Sequence, residues 1–246
     1  MSRRLITDGE LRGLWNRAPF SELTVEKDAI LTPSARDFLL EHRITLKQGV
    51  PTMTVTPIPE RAGQKRYVEA ATGRELTEKP EDMTHLRGNL LVPKTHPRIA
   101  FRGRLDSLMA KVIEVQCAAA GRGDGQVAEQ LEEILGCLRS ILSAEVKEEP
   151  LGEIRLLGLD SAGLRRVSHH VQEEIGIPPP VPSYRMGPTV AALNYLRTQV
   201  RETELAAALA FDSPQGCTRR DVVEALNRLS SAVYILLCRY LAQQQK

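Results

Sequence analysis

The sequence predicts a mainly α-helical protein, a five-helix bundle carrying a small N-terminal module of α/β or extended structure. Three observations predict it. From Pro97 onward the apolar residues recur with helical spacing as far as the C-terminus, with glycine or proline between the runs. Before that point the pattern is different: two short helix candidates are followed by alternating β-branched residues in MTVTPIP. The chain of 246 residues is also long enough for one sizeable domain with an appended module, and its 42% hydrophobic content is ordinary for a globular protein.

The first 50 residues hold the helix candidates ELRGLWNR and TPSARDFLLEHRI. In the second, Thr32 is placed as N-cap, Pro33 as the first helical residue, and Phe38, Leu39 and Leu40 form an apolar patch. From Gly49 to Leu76 the prolines Pro51, Pro57 and Pro59 interrupt the alternation, which predicts edge strands or extended linker. The expected domains are therefore 1–76, module and linker, and 77–246, the bundle. Within the bundle, helices are predicted over about 98–120, 125–147, 161–175, 188–211 and 218–244. The last is the clearest, with Thr218 and Asp221 as a capping-box-like start and Val222, Leu226, Leu229, Val233 and Leu236 along one face.

Charged residues make up 26% of the chain and nearly cancel to +2, so no global field would hold it on nucleic acid or an anionic membrane. The N-terminus has two arginines without an apolar run behind them, and stretches such as AVYILLC are far shorter than a bilayer span. The expectation is a cytoplasmic protein. Four widely spaced cysteines, Cys117, Cys137, Cys217 and Cys238, suggest neither a metal knuckle nor a disulfide framework, and are read as buried thiols.

Some polar residues are not needed by a bundle. In the fourth helix Leu193, Leu196, Val200 and Ala207 face a core, while Asn194, Arg197, Arg201, Glu204 and Ala208 form a second stripe. Read alone, that stripe fits a solvated face with an Arg201–Glu204 pair worth a few tenths of a kcal/mol. The fifth helix carries Asn227, Ser231 and Tyr234 on one face, and a mid-helix asparagine is better explained by a contact than by helicity. At the start of the first bundle helix, Lys94 and Arg98 sit near an N-terminus suited to phosphate. Asp106 lies between Leu105 and Leu108, where an acid should have a partner.

These residues resemble the PduO-type corrinoid adenosyltransferases. Lys94, Pro97, Arg98, Gly103, Asp106 and Leu108 are similar to that family's K-x-x-P-R-x-x-x-x-G-x-x-D-x-L segment. Arg197, Arg201 and Glu204 match its R-x-x-x-R-x-x-E helix, and LNRLSS from Leu226 matches its LNRLSD. LTPSARDFL, THL at Thr84 and ALNRLSSAVY look more like the ethanolamine-utilisation branch, so the resemblance covers nearly the whole chain.

The resemblance implies a cobalamin adenosyltransferase-like bundle that uses ATP with Mg²⁺ and takes reduced cobalamin as substrate. It implies a homo-oligomer, trimer or alternatively dimer, with the active site between subunits. A corrinoid reductase and ethanolamine ammonia-lyase are the implied protein partners, and association with a bacterial microcompartment the implied setting. Carried over, Lys94, Arg98 and Arg201 hold the triphosphate together with Thr84, Glu204 orients metal and phosphate ligands, and Asn227 contacts the nucleotide. Asp106 and Arg197 correspond to the family's intersubunit ion pair. Val181 and Tyr184, in IPPPVPSY, are the candidates to face the corrinoid. A helical-bundle protein that binds a corrinoid or docks to a microcompartment without turnover is the competing reading.

Two departures stand out. The family's T-x-x-G-D-x-G-T phosphate loop is missing, with only Thr84, Leu86 and Gly88 resembling its tail. Where the ethanolamine branch often has a paired-cysteine CCxxC motif, this chain reads QKRYVEAATGREL. His85, His96, His169 and His170 alone are a weak ligand set, so no structural iron or zinc is expected.

Overall fold

A computed structural model describes residues 4–49, 53–57 and 67–245. The chain divides into two compact units, Met1–Gln64 and Lys65–Lys246. Residues 65–76, read from the sequence as linker, fall in the second unit because their strands pair there. Pro51 and Pro59, expected to interrupt the extended segment, lie outside the described residues.

The first unit is a small α/β fold. Strand β1 (Leu5–Ile6) leads into α1 (Asp8–Arg17), then β2 (Phe20–Val25), β3 (Ile30–Leu31), α2 (Pro33–Glu41), β4 (Thr45–Gln48) and β5 (Thr54–Pro57). β1 pairs in parallel with β3. β2 is the central strand of a second sheet, parallel to β4 and antiparallel to β5. The parallel pair requires a crossover, which α2 supplies. Thr32 caps α2 as expected, its Oγ1 accepting from the Ala35 N–H at 3.2 Å, with Pro33 in the first turn. Leu11, Phe20, Leu23, Val25 and Phe38 form this unit's core, and Trp15 sets its ring edge-on to Phe20 and Phe38. Leu40, expected in the apolar patch of α2, is instead exposed.

The second unit opens with four strands, β6 (Tyr67–Glu69), β7 (Glu75–Leu76), β8 (Met83–Arg87) and β9 (Leu90–Pro93), in the order β7-β6-β9-β8. β8 and β9 form a hairpin over Gly88–Asn89, with Gly88 at φ 51°, a backbone that glycine adopts without steric cost. The bundle follows: α3 (Pro97–Gly121), α4 (Gly125–Lys147), α5 (Ser161–His169), α6 (Val171–Ile175), α7 (Gly187–Ala210) and α8 (Arg220–Gln244).

Most predicted helices form within a residue or two of their expected bounds. The exception is 161–175, which breaks at His170, whose φ −123° and ψ 47° end α5 and begin α6. The expected capping box of α8 does not form. Thr218 Oγ1 donates to the Phe211 carbonyl, and the Asp221 carboxylate accepts from the Leu151 N–H and from Arg219, so both side chains are engaged elsewhere. The inward faces of the bundle are otherwise as predicted: Leu193, Leu196, Val200 and Ala207 of α7 and Val222, Leu226, Leu229, Val233 and Leu236 of α8 are all buried. Of the four cysteines only Cys238 is buried; Cys117 and Cys217 are exposed, because a helical or turn position next to an apolar residue need not face the core. Burial pushes the Cys238 thiol up to about 11 and the half-buried Cys137 thiol likewise to about 11. No helix is long and apolar enough to cross a membrane among the described residues.

Candidate active site

The polar stripe of α7 meets the polar face of α8. Asn227, two turns into α8, donates from Nδ2 to Glu204 Oε1 at 2.9 Å, so residues from two separate motifs are joined by one hydrogen bond. Arg228 donates from Nη1 to Asn227 Oδ1 at 3.3 Å and from Nε to Ser161 Oγ at 2.9 Å. Arg201, one turn before Glu204, is exposed and makes no hydrogen bond or ion pair among the described residues; the Arg201–Glu204 pair does not form. Glu204, Asn227 and Arg228 line an open cleft of about 870 Å³, shared with Arg165, Cys217 and Arg220. A half-buried carboxylate among the arginines of such a cleft, with the exposed Arg201 one turn from Glu204 though not among the lining residues, suits an anionic ligand that brings its own cation.

Arg197 lies on the same stripe, one turn before Arg201. Its guanidinium stands 5.8 Å from the Tyr234 ring centre and reaches Asn194 Oδ1 at 3.5 Å. Its Nε is buried with no hydrogen-bond partner among the described residues. Asp106, expected in an apolar pattern, is exposed: α3 buries Leu105 and Leu108, and the 100° step per residue turns Asp106 away from them. It has no partner within its own chain among the described residues.

Thr84, Lys94 and Arg98 form a second group. Thr84 sits half-buried on β8, and Lys94 is exposed just after β9, its Nζ 4.0 Å from Glu81. Arg98 is not open to a ligand in the same way. Its Nε donates to Glu145 at 2.6 Å and its Nη1 to Glu148 at 2.9 Å, while its Nη2 reaches the Glu145 carbonyl at 3.1 Å. Glu145 is 0% exposed, and its other oxygen accepts from Arg102 Nε at 2.5 Å. Arg102 in turn donates to the carbonyls of His85 and Leu86, tying β8 to α3 and α4. The hydrogen bond from Arg98, with Arg87 also paired to Glu148, holds the Glu148 carboxyl below the usual carboxylate range. Arg98 is thus anchored by an internal ion-pair network.

Val181 and Tyr184 are 81% and 83% exposed, on the segment leading to a short 3₁₀ turn over Tyr184–Met186 before α7. Neither is packed into the core. Among the described residues no three His, Cys, Asp or Glu side chains converge as a metal cluster.

Four residues escaped the sequence reading. Arg228 stands inside LNRLSS beside Asn227, and its position next to a polar helix face was the available signal. Arg165 and Arg220 carried none. Glu145 falls seven residues after Leu138 in the apolar pattern of α4, so within one copy of the chain it is the acid on a buried stripe that needs a partner.

Residues 76–241 match the family described as cobalamin adenosyltransferase. The chain belongs to that family. It is 32% identical to the corrinoid adenosyltransferase EutT of Salmonella typhimurium over 94% of this chain and 90% of that protein. To the corrinoid adenosyltransferase EutT of Escherichia coli K12 it is 31% identical, over 97% of this chain and 93% of that one. A shorter similarity, 30% identity over 59% of this chain and 43% of the relative, links it to the corrinoid adenosyltransferase PduO of Citrobacter freundii. No solved structure gives a significant match. Within this cobalamin adenosyltransferase, the family match falls entirely within the second unit, which carries every residue of the candidate site.

Proposed function

We infer that this chain is a corrinoid adenosyltransferase that moves the adenosyl group of ATP onto the cobalt of reduced cobalamin and releases triphosphate. In this reaction the cobalt–carbon bond forms at the 5′ carbon as the carbon–oxygen bond to triphosphate breaks, and the electron pair leaves with the phosphate oxygen. Cob(I)alamin is itself a strong nucleophile, so the protein supplies alignment, charge balance and exclusion of water.

The observation that carries the reading is the hydrogen bond between Glu204 and Asn227 with Arg201 unpaired one turn away. Two motifs of one enzyme family meet there, and their side chains are complementary to a triphosphate with Mg²⁺: a cation for the leaving oxygens, a carboxylate for the hard metal, an amide for the nucleotide. Thr84 and Lys94 are the second set of phosphate contacts. Arg98 contributes by holding the start of α3 rather than by reaching the ligand. The exposed Val181 and Tyr184 are available to face the corrinoid.

Oligomerisation completes the site in this reading. Among the described residues Asp106 lacks an intrachain partner and Arg197 keeps a buried unpaired N–H, and α3 and α7 expose Ile113, Tyr195, Leu205 and Leu209. A second copy of the chain, in a trimer or alternatively a dimer, would pair Asp106 with Arg197 and cover these apolar residues. The product would serve ethanolamine ammonia-lyase in the cytoplasm or at a microcompartment, with a corrinoid reductase upstream.

Chemically reduced cobalamin, ATP and Mg²⁺, mixed with the protein under anaerobic conditions, should yield a light-sensitive cobalt–carbon product. No product from folded protein would refute the reading. Activity should require Mg²⁺ or a similar hard cation and survive removal of transition metals. Iron or zinc at one equivalent, lost together with activity on chelation, would show a metal dependence that this reading does not contain.

A further inference from the structure

We propose that Arg228 is a positioning residue for the nucleotide site, setting the Glu204 carboxylate through the side-chain amide of Asn227. The proposal rests on the adenosyltransferase reading of that site. An asparagine side chain presents an acceptor on one side and a donor on the other, and half a turn about its terminal torsion exchanges them. Asn227 lies between two groups that accept only one of these orientations. The Glu204 carboxylate, 2.9 Å from Nδ2, can only accept; the Arg228 guanidinium, 3.3 Å from Oδ1, can only donate. Both neighbours therefore select the same orientation. Without the guanidinium Oδ1 has no donor among the described residues, and a reversed amide would set its oxygen against the carboxylate.

Arg228 is held for this task. Its Nε donates to Ser161 Oγ at 2.9 Å, and its Nη2 stands 3.8 Å from Glu224, one turn earlier on α8. Its side chain is only 14% exposed. Ser161 is the first residue of α5, whose N-terminus is fixed by Asp160 accepting from the Gly163 N–H at 2.7 Å. A chain of adjacent polar groups thus runs from α5 through Arg228 and Asn227 to Glu204 on α7. Glu204 Oε1 is committed to Asn227, which leaves Oε2 directed to the ligand by a rigid support.

The test is a double-mutant cycle on the full-length protein with ATP as the varied substrate. Arg228→Met should raise KM for ATP about tenfold with a smaller effect on kcat, and Arg228→Lys, which keeps a donor, should recover part of the loss. In an Asn227→Ala background, Arg228→Met should add less than about twofold, because the group it acts through is gone. Fully additive losses overturn the proposal. Ser161→Ala, which removes the anchor and leaves the core intact, should raise KM about threefold, and an unchanged KM counts against the proposal. The side-chain amide resonance of Asn227, assigned by its loss in Asn227→Ala, gives a readout independent of turnover. It should shift in Arg228→Met and remain in place in Arg228→Lys; an unmoved signal in Arg228→Met overturns the proposal. An inactive wild type with the expected amide shifts would instead defeat the transferase reading alone.

Discussion

An exposed guanidinium with no partner adds little to folding, and among the described residues Arg201 is such a group. Replacing it or Glu204 by alanine is expected to lower adenosylation by about 100-fold, the scale of losing one charge-balancing contact in a transition state. The melting temperature should stay nearly unchanged, since Glu204 forms one hydrogen bond at the rim of a cleft and exposed pairs contribute about 0–1 kcal/mol. Retained activity in both variants would return the stripe to an ordinary solvated face. Glu145 is the opposite case. Fully buried between Arg98 and Arg102, it cannot be neutralised without leaving Arg102 short of a carboxylate and Arg98 with Glu148 alone among the described residues. Glu145→Gln should cost about 3 kcal/mol in urea denaturation, whereas a loss within about 0.5 kcal/mol would mean the network is dispensable. The same rule about acids on apolar stripes had pointed to Asp106. Within one copy of the chain the two acids differ because sequence neighbours on a helix are 100° apart: Asp106 beside Leu105 faces outward while Glu145 faces in.

At the scale of elements, α3 begins on a titratable cap. His96 Nδ1 accepts from the Arg98 N–H at 3.1 Å, which a protonated Nδ1 cannot do. Burial, with Arg98 and Arg102 close by, lowers the His96 pKa below 6.5. The unfolded chain then binds the proton more readily than the folded one, so the cap's contribution is present above about pH 6.5 and is lost as pH falls below it. The urea midpoint should decline between pH 7 and 5, and His96→Asn, which caps without titrating, should flatten that part of the decline; an identical slope in the variant would acquit the cap. Helix periods were legible in the sequence because α4, α7 and α8 each bury one continuous apolar stripe. The break at His170 was not, since no glycine or proline marks it. Strands β6 to β9 were also obscure: they are two to five residues long, and the parallel pairing of β6 with β9 joins segments separated by the intervening strands. The legible part of the site was the spacing on single helices; the meeting of Asn227 with Glu204 depends on how α7 and α8 pack.

Among the described residues, the chain presents an acid without a partner on α3 and a buried N–H without an acceptor on α7. If Asp106 of one copy meets Arg197 of another, Asp106→Asn and Arg197→Ala should each lower activity sharply and shift the mass seen by light scattering toward the monomer. Their double variant should lose less than the sum, because each single change already breaks the shared contact. Strictly additive losses with an unchanged mass would remove this pair from the interface. Leu205 and Leu209, 65% and 74% exposed on α7, would lie in the same covered surface.

The two units keep separate cores with no residue in common: Phe20, Leu23 and Phe38 belong to one, Phe101, Leu131 and Leu226 to the other. Close packing carries a lesion only as far as the atoms that touch it. A cavity opened at Leu23 therefore acts first on Phe20 and Phe38 in its own core, and one opened at Leu131 on the bundle's core. Each core thus sets its own tolerance, since a substitution is felt first by the side chains packed against it within the same unit.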